Sequence, residues 1–118
     1  MQLETLRQLV VDTLTDMKAR DIEVMDVRGK TAITDYMIVA SGTSDRHVKA
    51  IAETLAFRSK EAGEMPLGLE GVAEGEWALV DLNGVVVHVM LPKVRDFYNL
   101  ERLWSAPAAV PKAAARPL

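Results

Sequence analysis

Residues 76–90 read EWALVDLNGVVVHVM, and the Asn83-Gly84 pair at the centre decides how the chain folds. Asn-Gly is the preferred filling of a two-residue type I′ hairpin loop, because both positions take positive φ there. Such a loop pairs Leu82 with Val85, and the register then runs outward. Asp81 faces Val86, Val80 faces Val87, Leu79 faces His88, Ala78 faces Val89, and Trp77 faces Met90. Successive strand side chains point to opposite sides. One side is therefore Ala78, Val80, Leu82, Val85, Val87 and Val89, wholly apolar and fit only for a core. The other is Trp77, Leu79, Asp81, Val86, His88 and Met90, half apolar and half polar. Two readings stand for this mixed face: cover by a further layer of the chain, or an open docking surface with a Trp anchor, since Trp and Met are enriched at interface cores.

Working outward, a single domain is expected from 118 residues. Leu3, Leu6, Val10, Leu14 and Met17 recur at helical spacing through residues 2–20. IEVMDV (22–27) and YMIVA (36–40) read as strands. Ser44 is a natural N-cap, with Asp45 in the first turn, for a second helix ending near Gly63. Its buried stripe is Val48, Ile51, Ala52, Leu55, Ser59 and Ala62, with Phe57 on the opposite side. A short strand is expected at 65–69 after Pro66, then a Gly-rich acidic loop at 70–76. A last helix is expected from Pro92 to Trp104. The tail APAAVPKAAARPL (106–118) is expected to be disordered, leaving 1–105 as the folded domain. The order α-β-β-α-β-β-β-α predicts an α/β fold, a mixed sheet of about five strands with helices packed on it.

Composition narrows the function. The formal net charge of −3 and pI near 5.4 argue against a nucleic-acid-coating protein, while an acidic surface suits a basic or ribonucleoprotein partner. With no cysteine and two histidines, His47 and His88, thiolate chemistry is excluded and a His-rich metal site is not expected. The amphipathic N-terminus has no signal-peptide pattern, and no apolar run approaches membrane-spanning length, so a cytoplasmic location is expected. The strand-turn-helix YMIVASGTSDRH offers Gly42–Ser44 as a phosphate-binding turn. Nucleotidyl transfer needs a D-x-[DE] pair on a following strand to hold divalent ions. The nearest match is Asp81-Leu82-Asn83, whose Asn serves the turn. His47 is expected as an exposed first-turn residue, and Asp81 is not directly opposite His88. No catalytic residue, metal site or cofactor is expected.

The blocks DVRGKTAITDYMIVASGTSDRHVKAIAE (26–53), PLGLEG (66–71), WALVDLNGVVVHVM (77–90) and YNLERLW (98–104) together resemble the ribosomal silencing factor family, RsfS or Iojap. The resemblance covers roughly residues 5–105. It implies a nucleotidyltransferase-like α/β fold without recognised catalysis. It also implies binding to large-subunit ribosomal protein fourteen, a steric block to subunit joining, and repression of translation when nutrients are short. By position, the family's hairpin tryptophan matches Trp77 and its strand histidine matches His88. Met90, Asp81, Glu70, Tyr98 and Arg95 complete the set expected to meet the ribosomal protein. A homodimer through the same face is the expected alternative partner when the molecule is free. A nucleotide-binding enzyme using Gly42–Ser44 is the alternative function.

Overall fold

A computed structural model describes residues 1–98. Along the chain come α1 (Leu3–Asp16), β1 (Arg20–Asp26), β2 (Tyr36–Ser41), α2 (Asp45–Glu61), β3 (Gly68–Glu70), β4 (Trp77–Asp81), β5 (Val85–Met90) and α3 (Pro92–Tyr98). This is the expected order. The five strands form one sheet in the order β1-β2-β5-β4-β3. β2 runs parallel to β5 and the other neighbours are antiparallel, so the sheet is mixed. The last part of the helix expected to reach Trp104, and the tail from 106, lie outside the described residues.

Two boundaries differ from the sequence reading. β1 begins at Arg20, because Asp21 adopts φ 50° and a register shift between Arg20 and Glu23 lets the strand pair earlier. β3 is shorter and later than 65–69. Pro66 has no N–H to give a ladder, and pairing starts with Leu67 N–H donating to the Asp81 carbonyl at 2.8 Å.

Helix α2 begins and ends as its sequence predicts. The Ser44 hydroxyl accepts from His47 N–H at 3.1 Å. At the other end Gly63 takes φ 95°, and Glu64 N–H reaches back to the Ser59 carbonyl at 2.8 Å, which satisfies carbonyls left over by the last turn.

The hairpin register is the one derived from Asn83-Gly84, from Trp77↔Met90 through Asp81↔Val86, with Leu82 N–H donating to the Val85 carbonyl. The turn type differs. Asn83 has φ 74°, but Gly84 does not share a positive φ, so the loop is not the type I′ turn that Asn-Gly predicts. Gly84 sits against α1 instead. A Cβ there would lie 2.8 Å from Leu3 Cδ1 of α1, and its carbonyl accepts from both Asp35 and Tyr36 N–H. The turn is thereby pinned between α1 and the start of β2.

Helices α1 and α2 cover the apolar face. Leu6, Val10 and Leu14 from α1 and Val48, Ile51, Ala52 and Leu55 from α2 pack on Ile38, Ala40, Ala78, Val80, Leu82, Val85, Val87 and Val89. The opposite face carries a smaller cluster of Val27, Met37, Val39 and Met90, bordered by Met25, Trp77 and Val94. The mixed face is thus covered in part, by the chain after β1 and by α3.

Candidate functional site

Strand pairing sets the mixed face out in rows. One row runs Glu23–Val39–His88–Leu79–Glu70 across all five strands. The next runs Ser41–Met90–Trp77. Cross-strand neighbours on one face stand about 5 Å apart and touch, so an apolar-histidine centre ends in a carboxylate on each side.

Trp77 is half-buried and anchors the face. Its Nε1 donates to His88 Nδ1 at 2.8 Å, with the rings tilted and their centroids 5.8 Å apart. The Tyr98 ring stands 4.7 Å from Trp77, and Phe97 meets Tyr98 edge-on at 5.0 Å. These are favourable aromatic geometries. Phe97 is 78% exposed and Tyr98 49%, so the aromatic series runs from a buried histidine out to solvent. The sequence reading missed Phe97. Only its place beside Tyr98 hinted at it, because seven residues of helix do not by themselves say which side meets the sheet. Glu70, Glu74 and Glu76 are exposed around the entry to β4.

Other expected contact residues are placed differently. Met90 is fully buried against Val27, Met37 and Val39, so it belongs to the core and presents no surface to a partner. Arg95, 6% exposed, turns inward and donates to Ser41 Oγ at 2.9 Å, holding α3 over the row of Met90. Asp81 is half-buried and its Oδ1 accepts from Asn83 N–H at 2.9 Å, which serves the turn. His88 is itself only 3% exposed, and burial lowers its pKa from the ordinary 6.5 to about 4. Of the two readings of this face, each holds in part: the floor is closed, and the aromatic edge and acidic rim are accessible.

The Gly42–Ser44 turn is occupied by the chain itself. Gly42 N–H donates to the Met90 carbonyl, Thr43 N–H to His47 Nδ1 at 2.9 Å, and Arg46 N–H to Asp45 Oδ1. His47 N–H goes to Ser44 Oγ and Val48 N–H to the Ser44 carbonyl. Far from being a simple exposed residue, His47 is half-buried, and its Nε2 sits 2.8 Å from the Met17 carbonyl at the end of α1. Since Nδ1 accepts, Nε2 is the protonated nitrogen and donates there. Gly42 answers a packing need: a Cβ would fall 2.7 Å from Val48 Cγ2. The geometry gives the nucleotide reading no support. Among the described residues no group of three or more His, Asp or Glu is placed to hold a metal ion, and no helix is long and apolar enough to cross a membrane.

Fold and face together define a small mixed-sheet α/β domain whose candidate site is an aromatic sheet face with an acidic rim. The chain belongs to the ribosomal silencing factor family, matching the family described as "Ribosomal silencing factor during starvation" over residues 1–117. Ribosomal silencing factor RsfS of Chromobacterium violaceum is 46% identical over 104 residues, covering 88% of this chain and 85% of that protein. The protein of that name from Bacillus subtilis is 37% identical over 110 residues, covering 92% and 93%. A mouse protein named "Mitochondrial assembly of ribosomal large subunit protein 1" is 36% identical over 100 residues, with 82% of this chain matched to 44% of its length. A crystal structure from Chromobacterium violaceum superposes with a TM-score of 0.87 at 44% identity, covering 99% of this chain and 98% of that one.

Proposed function

We propose that this chain acts as a ribosomal silencing factor without catalysing a reaction. It docks on large-subunit ribosomal protein fourteen in the cytoplasm, blocks joining of the small subunit by its bulk, and represses translation when nutrients are short. The observation that carries this reading is the accessible aromatic edge Trp77–Tyr98–Phe97 beside the exposed acids Glu70, Glu74 and Glu76. Aromatic anchors supply desolvation energy at interfaces. Carboxylates at the rim steer a basic ribosomal surface and make the association salt-dependent. His88 and the partly exposed Leu79 form the floor, while Met90 and Arg95 act from beneath by holding the strand and α3 in place. A steric block needs no chemistry, only a folded body at the subunit interface.

Sucrose-gradient co-sedimentation with separated large subunits tests the reading. Trp77→Ala should weaken binding at least tenfold, and raised salt should weaken the wild type, while circular dichroism reports an intact fold. Wild-type affinity in the Trp77→Ala chain would sink the mechanism. Measuring mass against protein concentration, with and without the ribosomal protein, decides whether free molecules pair through the same face.

A further inference from the structure

His88 lies deep in the mixed face, between Val39 and Leu79, with the Trp77 indole as its hydrogen-bond partner. An indole nitrogen can only donate. The 2.8 Å bond from Trp77 Nε1 therefore requires a bare, accepting Nδ1 on His88. A ring with a bare Nδ1 that carries its proton on Nε2 is neutral, and burial favours the same uncharged form. His88 Nε2 has no hydrogen-bond partner among the described residues, although the side chain is 3% exposed. This nitrogen is not sealed from solvent, since among the described residues the buried unpartnered side-chain atom is Ser59 Oγ, so it is open to an acceptor from outside the chain.

We infer that Trp77 is a positioning residue that fixes His88 as its Nε2–H tautomer, so that the face offers one fixed hydrogen-bond donor to a carbonyl oxygen of a basic partner segment. This rests on the docking reading above and specifies its chemistry. The partner atom must be an acceptor, because the tautomer leaves a donor. A phosphate or carboxylate fits poorly. The imidazole is neutral, the same row ends in Glu23 and Glu70, and Glu74 and Glu76 stand exposed near Trp77. An uncharged carbonyl, flanked by cations that answer the acidic rim, suits both features. Trp77 then has two roles, as an apolar anchor and as the group that decides which way His88 can bond.

Two measurements test this. Ring-nitrogen NMR of the isolated wild-type chain at neutral pH should show His88 protonated on Nε2 and bare on Nδ1. Trp77→Phe, which keeps an aromatic ring but loses the N–H, should release the ring to a mixture of tautomers. A proton on Nδ1 in the wild type overturns the inference whatever the ribosome does. The second measurement compares two amides by co-sedimentation with large subunits. The side chain in His88→Gln places its N–H₂ near the imidazole Nε2, whereas in His88→Asn the amide falls near Nδ1. His88→Gln should bind within about threefold of wild type and His88→Asn about tenfold or more weakly, both with unchanged circular dichroism. Equal or reversed ranking overturns the donor role. Failure of the wild type itself to co-sediment would overturn the docking reading instead, and the ring spectrum would still decide the tautomer.

Discussion

Acidification should destabilise this protein in a window set by His88. Burial holds the imidazole pKa near 4, against 6.5 when unfolded. Between those values the unfolded chain binds a proton that the folded chain refuses, so stability falls as pH falls. The stabilisation is complete above about pH 7.5 and is lost progressively down to about pH 4. One proton with this shift costs about 1 kcal/mol at pH 6, about 2 kcal/mol at pH 5, and approaches about 3 kcal/mol by pH 4. That is a sizeable share of the roughly 5–15 kcal/mol typical of a domain. Two carboxylates also titrate low. The Tyr36 hydroxyl lowers Glu4, and the Arg28 guanidinium holds Asp26 down to about 2. Their contributions are complete above the ordinary carboxylate range and fall away as pH drops through 4.5 and 3.8, so they overlap only the bottom of the His88 window. The assay is urea unfolding at half-unit pH steps from 8 to 5, followed by tryptophan fluorescence, in the wild type and in His88→Gln. The non-titrating variant should show a slope shallower by about 1 kcal/mol per pH unit near pH 5.5. Identical slopes in the two proteins would refute the buried, neutral histidine.

Two further changes test the packing. Met90→Ala removes a fully buried side chain from the cluster with Val27, Met37 and Val39, and should lower unfolding free energy in urea by about 2–5 kcal/mol; a cost below about 1 kcal/mol would place Met90 on the surface after all. Ser59 is buried in α2 and its hydroxyl has no hydrogen-bond partner among the described residues, so Ser59→Ala should leave stability unchanged or raise it by up to about 1 kcal/mol in a thermal melt, and a clear loss would reveal a bond to that hydroxyl.

The hairpin shows how far local sequence carries. Asn83-Gly84 and the alternation around it set the register, and that register placed Trp77, His88 and Met90 on one face. The same residues left the turn type open. Gly84 packs against the end of the Leu3 side chain, which lies about eighty positions earlier in the chain and leaves no mark on the hairpin. Serine, glycine and acid positions likewise marked both ends of α2, while His47's bond to Met17 depends on where α1 ends in space.

Periodicity and capping chemistry, which act between near neighbours, thus determined the elements, their order and the two faces of the hairpin. Tertiary structure decided what covers the mixed face. Val27 and α3 close over Met90 while Arg95 reaches Ser41, so a side chain that looked free by its strand position became core. Burial is a property of the segments that return to a face, and these come from distant parts of the chain. For the same reason Trp77 proved more than an anchor: only the folded distance to His88 assigns the proton on that ring.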